Sequence, residues 1–257
     1  MTNPHGSFIW YELMTNDPAA SRAFYSSVVG WTIDAEAPAG DMDYRMIGAP
    51  DGFAGGMLTL TDGMRAGGAR PMWLGYFGAD DVDATLEKIV AKGGAVQMPA
   101  HDVPDVGRIA MVSDPQGVPI YVMRGASDED STAFQRRGIG HVSWNELMTS
   151  DADAALAFYG EVFDVRKVGG MPMPDGGEYS FFAHGGDEAI GAMMTRTDGQ
   201  PPAWGFYFRV PDIEDGKGKV ETDGGTVVFG PMEVPGGEFV LNAIDPHGVP
   251  FGLVAPK

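Results

Sequence analysis

The sequence contains no cysteine and comparatively few basic residues. Without a thiol, disulfide bonds, cysteine nucleophiles and cysteine-ligated metals are all excluded. The 17 lysines and arginines are outnumbered by 36 aspartates and glutamates, which gives a formal charge of −19 at pH 7. Nucleic acids and anionic membrane surfaces would be repelled by this charge. We therefore expect neither of them as a partner.

Long apolar runs are also missing. No run approaches the roughly 18–20 apolar residues that a membrane-spanning helix needs. Residues 1–6 have neither the basic nor the apolar region of a secretory signal, so we expect a cytoplasmic protein. The 257 residues, of which 44% are hydrophobic, suffice for two domains of ordinary size.

One stretch of the chain occurs twice. Residues 10–17 read Trp-Tyr-Glu-Leu-Met-Thr-Asn-Asp, and residues 144–151 read Trp-Asn-Glu-Leu-Met-Thr-Ser-Asp. Both copies lead into an alanine-rich segment that ends in Phe-Tyr, at residues 24–25 and 158–159. A repeat that spans half of the chain predicts two tandem domains of the same fold.

Each half contains two smaller repeats of one strand, one helix and three strands. Branched and aromatic residues at positions 8–13 predict the first strand, and the Asp-Pro pair that follows it predicts a helix start. We predict an α+β fold with four βαβββ modules. Each pair of modules is expected to form a curled half-barrel sheet, with helices outside and a cleft for a small molecule inside.

The repeat also sets the predicted boundaries. The two domains are predicted at residues 1–125 and 139–257. Residues 126–138 are polar and charged, which favours a solvated linker over a specific contact made by Arg136 and Arg137.

Two segments carry weaker signals for secondary structure. Residues 61–70 are polar and rich in glycine, and predict a loop. Gly216 and Gly218 interrupt the last predicted helix, at a cost of about 1 kcal/mol each relative to alanine. This helix is therefore expected to be short, or to be held by packing.

Together these features resemble the vicinal oxygen chelate superfamily. The resemblance rests on the βαβββ order, the spacing from Asp17 to the Phe-Tyr pair, the Gly-Gly helix end at 93–94 and the Asp-Pro-x-Gly turn at Asp114. The superfamily includes glyoxalase I, extradiol dioxygenases and the bleomycin- and fosfomycin-resistance proteins. The resemblance covers nearly the whole chain and implies two tandem glyoxalase-like domains.

The resemblance also implies where metal ligands would stand, and the sequence departs from the family there. Metal-using members carry a histidine seven residues before the aspartate that caps each helix, and a carboxylate after each Asp-Pro-x-Gly turn. Those positions are occupied here by Trp10, Leu74, Trp144, Gly205, Tyr121 and Gly252. None of these side chains is a usual ligand of a divalent cation, so we predict no metal cofactor.

Glu12 and Glu146 are the candidate catalytic residues. Each lies two residues after the duplicated tryptophan, and therefore on the same face of its strand. Among aromatic neighbours the pKa of a carboxyl group tends to rise, which suits a general base. The alternative is a structural glutamate that pairs with an arginine or caps a helix.

Aromatic side chains suit the stacking of a flat ligand, and methionines add an adaptable apolar lining. Each of these residues could equally belong to the core. The candidate ligand-binding residues are Trp10, Trp144, Trp73, Trp204, Tyr76, Tyr207, Tyr121, Met57 and Met193.

Three functions stay open at this point. The first is a bleomycin-resistance-like protein that binds, or also transforms, a small apolar or aromatic metabolite without a metal. The second is a metal-dependent lyase, isomerase or dioxygenase with rearranged ligands such as Glu12 and Glu146. The third is a non-catalytic interaction module whose clefts are filled by its own side chains. Either a monomer with pseudo-dimeric tandem domains or a homodimer is expected.

Overall fold

The structure is a computed structural model that describes residues 3–38, 40, 42–174, 176–197 and 199–256. The helices are α1 (Pro18–Val28), α2 (Asp62–Ala66), α3 (Val82–Ala91), α4 (Ala152–Phe163) and α5 (Ile213–Thr222). The strands of the first half are β1 (Phe8–Thr15), β2 (Thr32–Ile33), β3 (Tyr44–Ala49), β4 (Gly52–Thr59), β5 (Met72–Gly78), β6 (Ala95–Val103), β7 (Gly107–Ser113) and β8 (Pro119–Gly125). Those of the second half are β9 (Val142–Thr149), β10 (Arg166–Pro172), β11 (Glu178–Ala183), β12 (Gly191–Thr195), β13 (Ala203–Arg209), β14 (Thr226–Val234), β15 (Glu238–Ile244) and β16 (Pro250–Pro256).

The elements follow the predicted module order. The strands form two eight-stranded sheets, in the orders β2-β3-β4-β1-β5-β8-β7-β6 and β10-β11-β12-β9-β13-β16-β15-β14. Because both halves use the same order, the α+β class and the tandem βαβββ modules are confirmed. Among the residues that the structure describes, no helix is both long and apolar enough to cross a membrane.

The chain divides into two compact units, each of which takes parts from both halves. Unit 1 consists of Met1–Ile9, Leu74–Ser131 and Trp144–Trp204, and unit 2 of Trp10–Trp73, Thr132–Ser143 and Gly205–Lys257. Unit 1 thus holds most of the second and third modules, and unit 2 most of the first and fourth. The predicted domain boundaries, which follow the sequence repeat, stay a prediction.

A buried tyrosine on α1 organises the core of unit 2. The hydroxyl of Tyr25 donates to Oδ2 of Asp245 at 3.2 Å and accepts from Nε1 of Trp73 at 3.0 Å. Trp31 and Phe208 pack their rings against this tyrosine. Burial, followed by the charge of Asp245, raises the pKa of Tyr25, so the hydroxyl keeps its proton. The hydrogen bonds tie the helix of the first module to the Asp-Pro-His-Gly turn of the fourth.

Unit 1 contains the same arrangement. The hydroxyl of Tyr159 on α4 donates to Oδ2 of Asp114 at 3.2 Å and accepts from Nε1 of Trp204 at 3.0 Å. Oδ1 of Asp114 accepts the backbone N–H groups of Gln116 and Val118 at 2.8 and 2.9 Å. The Phe-Tyr pair and the Asp-Pro-x-Gly turn, which the sequence shows as separate motifs, therefore form one buried network in each unit.

The glycine-rich segment at residues 61–70 is only partly a loop. It contains the short helix α2, and the prediction of a loop is wrong for those residues. Oγ1 of Thr61 accepts the backbone N–H of Met64 at 3.2 Å, which satisfies one of the free donors at the helix start.

The last helix, α5, is complete despite its two glycines. At Gly216 an added Cβ would lie 3.1 Å from Cδ1 of Leu253 and 3.3 Å from Cγ2 of Val210, so the missing side chain permits close packing. Gly218 has open space around it. Packing therefore holds the helix at Gly216, whereas Gly218 only lowers its intrinsic stability.

The segment at residues 126–138 makes specific contacts. In unit 2, Ala133 is fully buried, and Nη1 of Arg136 donates to Oγ of Ser143 at 3.2 Å and to Oε2 of Glu238 at 3.4 Å. These contacts correct the expectation that the whole segment is solvated.

Candidate functional site

In unit 2, a tyrosine binds the duplicated tryptophan and lies over the glycine that is paired with the duplicated glutamate. Nε1 of Trp10 on β1 donates to the hydroxyl of Tyr44 on β3 at 2.7 Å. Glu12 is only 2% exposed, and its register partner on β4 is Gly56. The Tyr44 hydroxyl lies 2.1 Å from the position that a Cβ on Gly56 would take. Because Gly56 has no side chain, the phenol of Tyr44 fits over β4 at the residue that is paired with Glu12.

Unit 1 repeats this group. Nε1 of Trp144 on β9 donates to the hydroxyl of Tyr179 on β11 at 2.9 Å, and this hydroxyl donates to Oε2 of Glu146 at 2.6 Å. Glu146 is 7% exposed. Phe181 adds edge-on contacts, with ring centroids 6.0 Å from Trp144 and 5.7 Å from Tyr179. We name the two groups, Trp10–Tyr44–Glu12 and Trp144–Tyr179–Glu146, the glutamate sites.

The direction of the bonds in unit 1 defines the role of the tyrosine. The oxygen of Tyr179 accepts from the indole, so its proton points at the carboxylate of Glu146. An O–H···O⁻ bond of this length is a strong, charge-assisted one. A carboxylate held in this way is oriented to accept a hydrogen bond, or a proton, from a bound molecule.

The duplicated stretch of sequence contains the tryptophans and glutamates of the two sites, whereas Tyr44 and Tyr179 lie outside it and were not predicted. Both tyrosines lie in the third strand of their modules, β3 and β11. Their matching places in the repeat are the signal that would have found them.

The remaining aromatic candidates make other contacts within their own units. In unit 1, the register partners Tyr76 and Tyr121 stack, with centroids 4.2 Å apart and an interplanar angle of 19°. In unit 2, Tyr207 has Gly252 as its register partner, and its hydroxyl accepts from Nδ2 of Asn242 at 3.1 Å.

Trp73, Trp204, Met57 and Met193 lie in the cores of the units. Trp73 and Trp204 are 5% and 7% exposed and donate to the two buried tyrosines. Met57 and Met193 are fully buried. Each of these methionines follows the residue that is paired with a site glutamate, so its side chain points to the opposite face of the sheet.

Two of the family's ligand positions, Tyr121 and Gly252, lie against packed aromatic rings. In unit 2, a Cβ on Gly252 would lie 2.2 Å from the ring of Tyr207, so this ring occupies the space that a carboxylate there would need. In unit 1, Tyr121 is committed to its stack with Tyr76. Within the described parts of the chain, no three histidine, aspartate or glutamate side chains are grouped to hold a metal ion.

Two hollows of the described structure lie away from both glutamate sites. One, in unit 1, measures about 10 Å³, the volume of roughly one water molecule. The other is an open groove of about 440 Å³ on the surface of unit 1, lined by Leu86, Glu87, Val90, Ala91 and Val96.

Sequence comparisons find relatives along the whole chain. The model of the family described as Glyoxalase/Bleomycin resistance protein/Dioxygenase superfamily matches twice, at residues 7–122 and 138–253. CFP32 of Mycobacterium tuberculosis, provisionally named as a glyoxylase, is 32% identical over 249 residues, which cover 96% of this chain and 94% of that protein. The anthracycline biosynthesis protein DnrV of Streptomyces peucetius is 28% identical over 264 residues, with coverages of 97% and 93%.

Solved structures share the fold. The 2,3-dioxygenase LapB from Pseudomonas sp. KL28 superposes with a TM-score of 0.67 at 13% identity, over 100% of this chain and 94% of that chain. The Mn(II)-bound glyoxalase from Novosphingobium aromaticivorans gives 0.65 at 16% identity, over 99% and 83%. At such low identities, the likeness concerns the fold alone.

Proposed function

Because the chain belongs to the glyoxalase/bleomycin resistance protein/dioxygenase superfamily, we propose that each glutamate site binds a small apolar or aromatic metabolite without a bound metal. The observation that carries this proposal is the pair of bonds from indole to phenol to buried carboxylate in unit 1, together with the indole-to-phenol bond and the buried Glu12 in unit 2. Relatives named for anthracycline biosynthesis support an aromatic ligand.

Each side chain has a separate task in this proposal. Trp10 and Trp144 are partly exposed, so their indoles offer a surface on which a flat ligand stacks. The glutamate accepts a hydrogen bond from a polar group of the ligand, and the tyrosine keeps the carboxylate in position. A ligand with an acidic hydroxyl or C–H group would lose that proton to the glutamate, which then acts as a general base.

A panel of aromatic alcohols, phenols, carboxylic acids and amines tests the proposal by thermal shift and calorimetry. We expect a panel member to bind at two sites per chain. Glu12→Gln and Glu146→Gln should each remove one site, and the double variant should remove both. Glu233→Gln, which neutralises an exposed glutamate on β14, is the control and should leave binding unchanged.

Two outcomes would overturn the proposal. A panel without a binder, or a binder that the double variant retains, removes the role of the glutamate sites. Metal analysis of protein purified without added cations should find well under one ion per chain. A tightly bound stoichiometric transition metal, with binding that a chelator abolishes, would favour the metal-dependent enzyme instead.

The second candidate function is an interaction module. It is favoured by the position of the two hollows in unit 1, which neither glutamate site lines. In that case the aromatic residues fill the clefts, and the Glu→Gln variants change the free energy of unfolding without altering the binding of any panel member.

A further inference from the structure

We infer that the ligand of the glutamate sites carries a protonated amine beside its aromatic or apolar part. This inference rests on the proposed function and names the class of its ligand. It follows from the chemistry of the site, the charge of the chain and the burial of the two carboxylates.

The carboxylate of each site, and the ring faces beside it, attract a positive charge. In unit 1 the carboxylate of Glu146 lies beside the phenol of Tyr179, which bonds the indole of Trp144. Indole and phenol rings carry negative charge on their faces, and tryptophan is the strongest of the cation-binding rings. A carboxylate bordered by such rings is the arrangement that suits an ammonium group.

The field of the whole chain acts in the same direction. With 36 acidic and 17 basic residues, the formal charge is −19. A field of this sign raises the local concentration of cations and their association rate, and lowers both for anions. A neutral ligand would be indifferent to it.

Burial strengthens the preference. Glu12 and Glu146 are 2% and 7% exposed, so their interaction with a charged partner is screened less than it would be at the surface. An ammonium group also donates up to three hydrogen bonds, whereas a hydroxyl group donates one. A cation therefore gains more from the buried carboxylate than a neutral donor of the same shape.

Three probes with the same indole body separate charge from shape: tryptamine, tryptophol and indole-3-acetate. By calorimetry at low salt, we expect tryptamine to bind about tenfold more tightly than tryptophol, with indole-3-acetate weakest. Salt screens interactions between charges. Raising the ionic strength to roughly 0.5 M should therefore weaken the binding of tryptamine and leave that of uncharged tryptophol nearly unchanged. In the double variant Glu12→Gln/Glu146→Gln the preference should vanish, while Glu233→Gln keeps it.

The outcomes distinguish the inference from the proposed function. If tryptophol and tryptamine bind equally and both depend on the glutamates, the inference of a protonated amine is refuted and the proposed function is retained. A preference for tryptamine that survives the double variant also refutes the inference, because the net charge of the whole chain, and not the two glutamates, would then explain the preference. If no indole binds, the tightest panel ligand decides: an amine supports the inference, and a neutral or anionic ligand overturns it. A panel with no binder at all overturns both.

Discussion

The two glutamate sites use the same three side-chain types in surroundings that differ. In unit 1, Phe181 stands beside the tryptophan and tyrosine, and the register partner of the glutamate is Ala192. In unit 2 that register partner is Gly56, over which the tyrosine hydroxyl lies. The indole, the indole-to-phenol bond and the buried glutamate are thus common to both halves, whereas their neighbours differ.

The two units differ more strongly around Tyr121 and Gly252, the positions at which the family carries a carboxylate ligand. In unit 1, Tyr121 stacks on Tyr76, so two rings fill the space together. In unit 2, Tyr207 lies over Gly252 and bonds Asn242 instead. The same space is filled by a stacked pair in one half and by a single ring over a glycine in the other.

The largest expected effect on stability concerns the contact between Gly252 and the ring of Tyr207. Gly252→Ala would place a methyl group 2.2 Å from the ring of Tyr207, so the ring or the strand must move. We expect a loss of about 3 kcal/mol in the free energy of unfolding, the upper range for an overpacked core. Urea unfolding measures it.

Two variants sharpen this test. Gly218→Ala, on α5 with open space around it, should instead add up to about 1 kcal/mol of stability. In the background of Tyr207→Ala, which removes the ring, Gly252→Ala should cost little. A large cost of Gly252→Ala in that background would show that the ring is not the obstacle.

The buried tyrosine networks are, by contrast, alike in the two units. Tyr25→Phe and Tyr159→Phe each remove a hydroxyl and leave a buried indole N–H and a buried carboxylate oxygen without their partner. We expect each to lower the free energy of unfolding by about 2 kcal/mol. Hydrogen exchange should locate the loss of protection in unit 2 for Tyr25→Phe and in unit 1 for Tyr159→Phe.

The pair Tyr159→Phe and Asp114→Asn supplies the control. Because the two side chains share one hydrogen bond, the double variant should lose clearly less than the sum of the single losses. Additive losses would show that the bond between Tyr159 and Asp114 contributes no coupling energy. An effect of Tyr→Phe in one unit that the other lacks would mean that the two networks are not equivalent.

The sequence predicted what depends on periodicity and repetition. The four modules, their order and the placement of Trp10 with Glu12 on one strand face all follow from alternation and from the constant spacing of the copies. The bond between Tyr25 and Asp245 spans 220 residues, and no local pattern shows which turn a helix will meet.

The missed tyrosines illustrate the same limit. A strand pattern gives the face on which Tyr44 lies but not the neighbouring strand that its hydroxyl reaches. The space for that hydroxyl is created by Gly56, and no local pattern shows which side chain a glycine on a strand will accommodate. The prediction of a loop at residues 61–70 was wrong for another reason: the N-cap at Thr61 stabilises a short helix despite the glycines.

The smallest expected effect concerns the third residue of the Asp-Pro-x-Gly turn. In unit 1, Gln116 binds the end of β9: its Oε1 accepts from Thr149, Ser150 and the backbone N–H of Asp151, and its Nε2 donates to the carbonyl of Asp151. In unit 2 the corresponding His247 has a buried Nε2 that makes no hydrogen bond to the residues described. Gln116→Ala should therefore cost about 1 kcal/mol of unfolding free energy and His247→Ala less than about 0.5. Equal losses in urea unfolding would show that His247 stabilises its turn as much as Gln116 does. The difference in their hydrogen bonds would then not affect the free energy of unfolding.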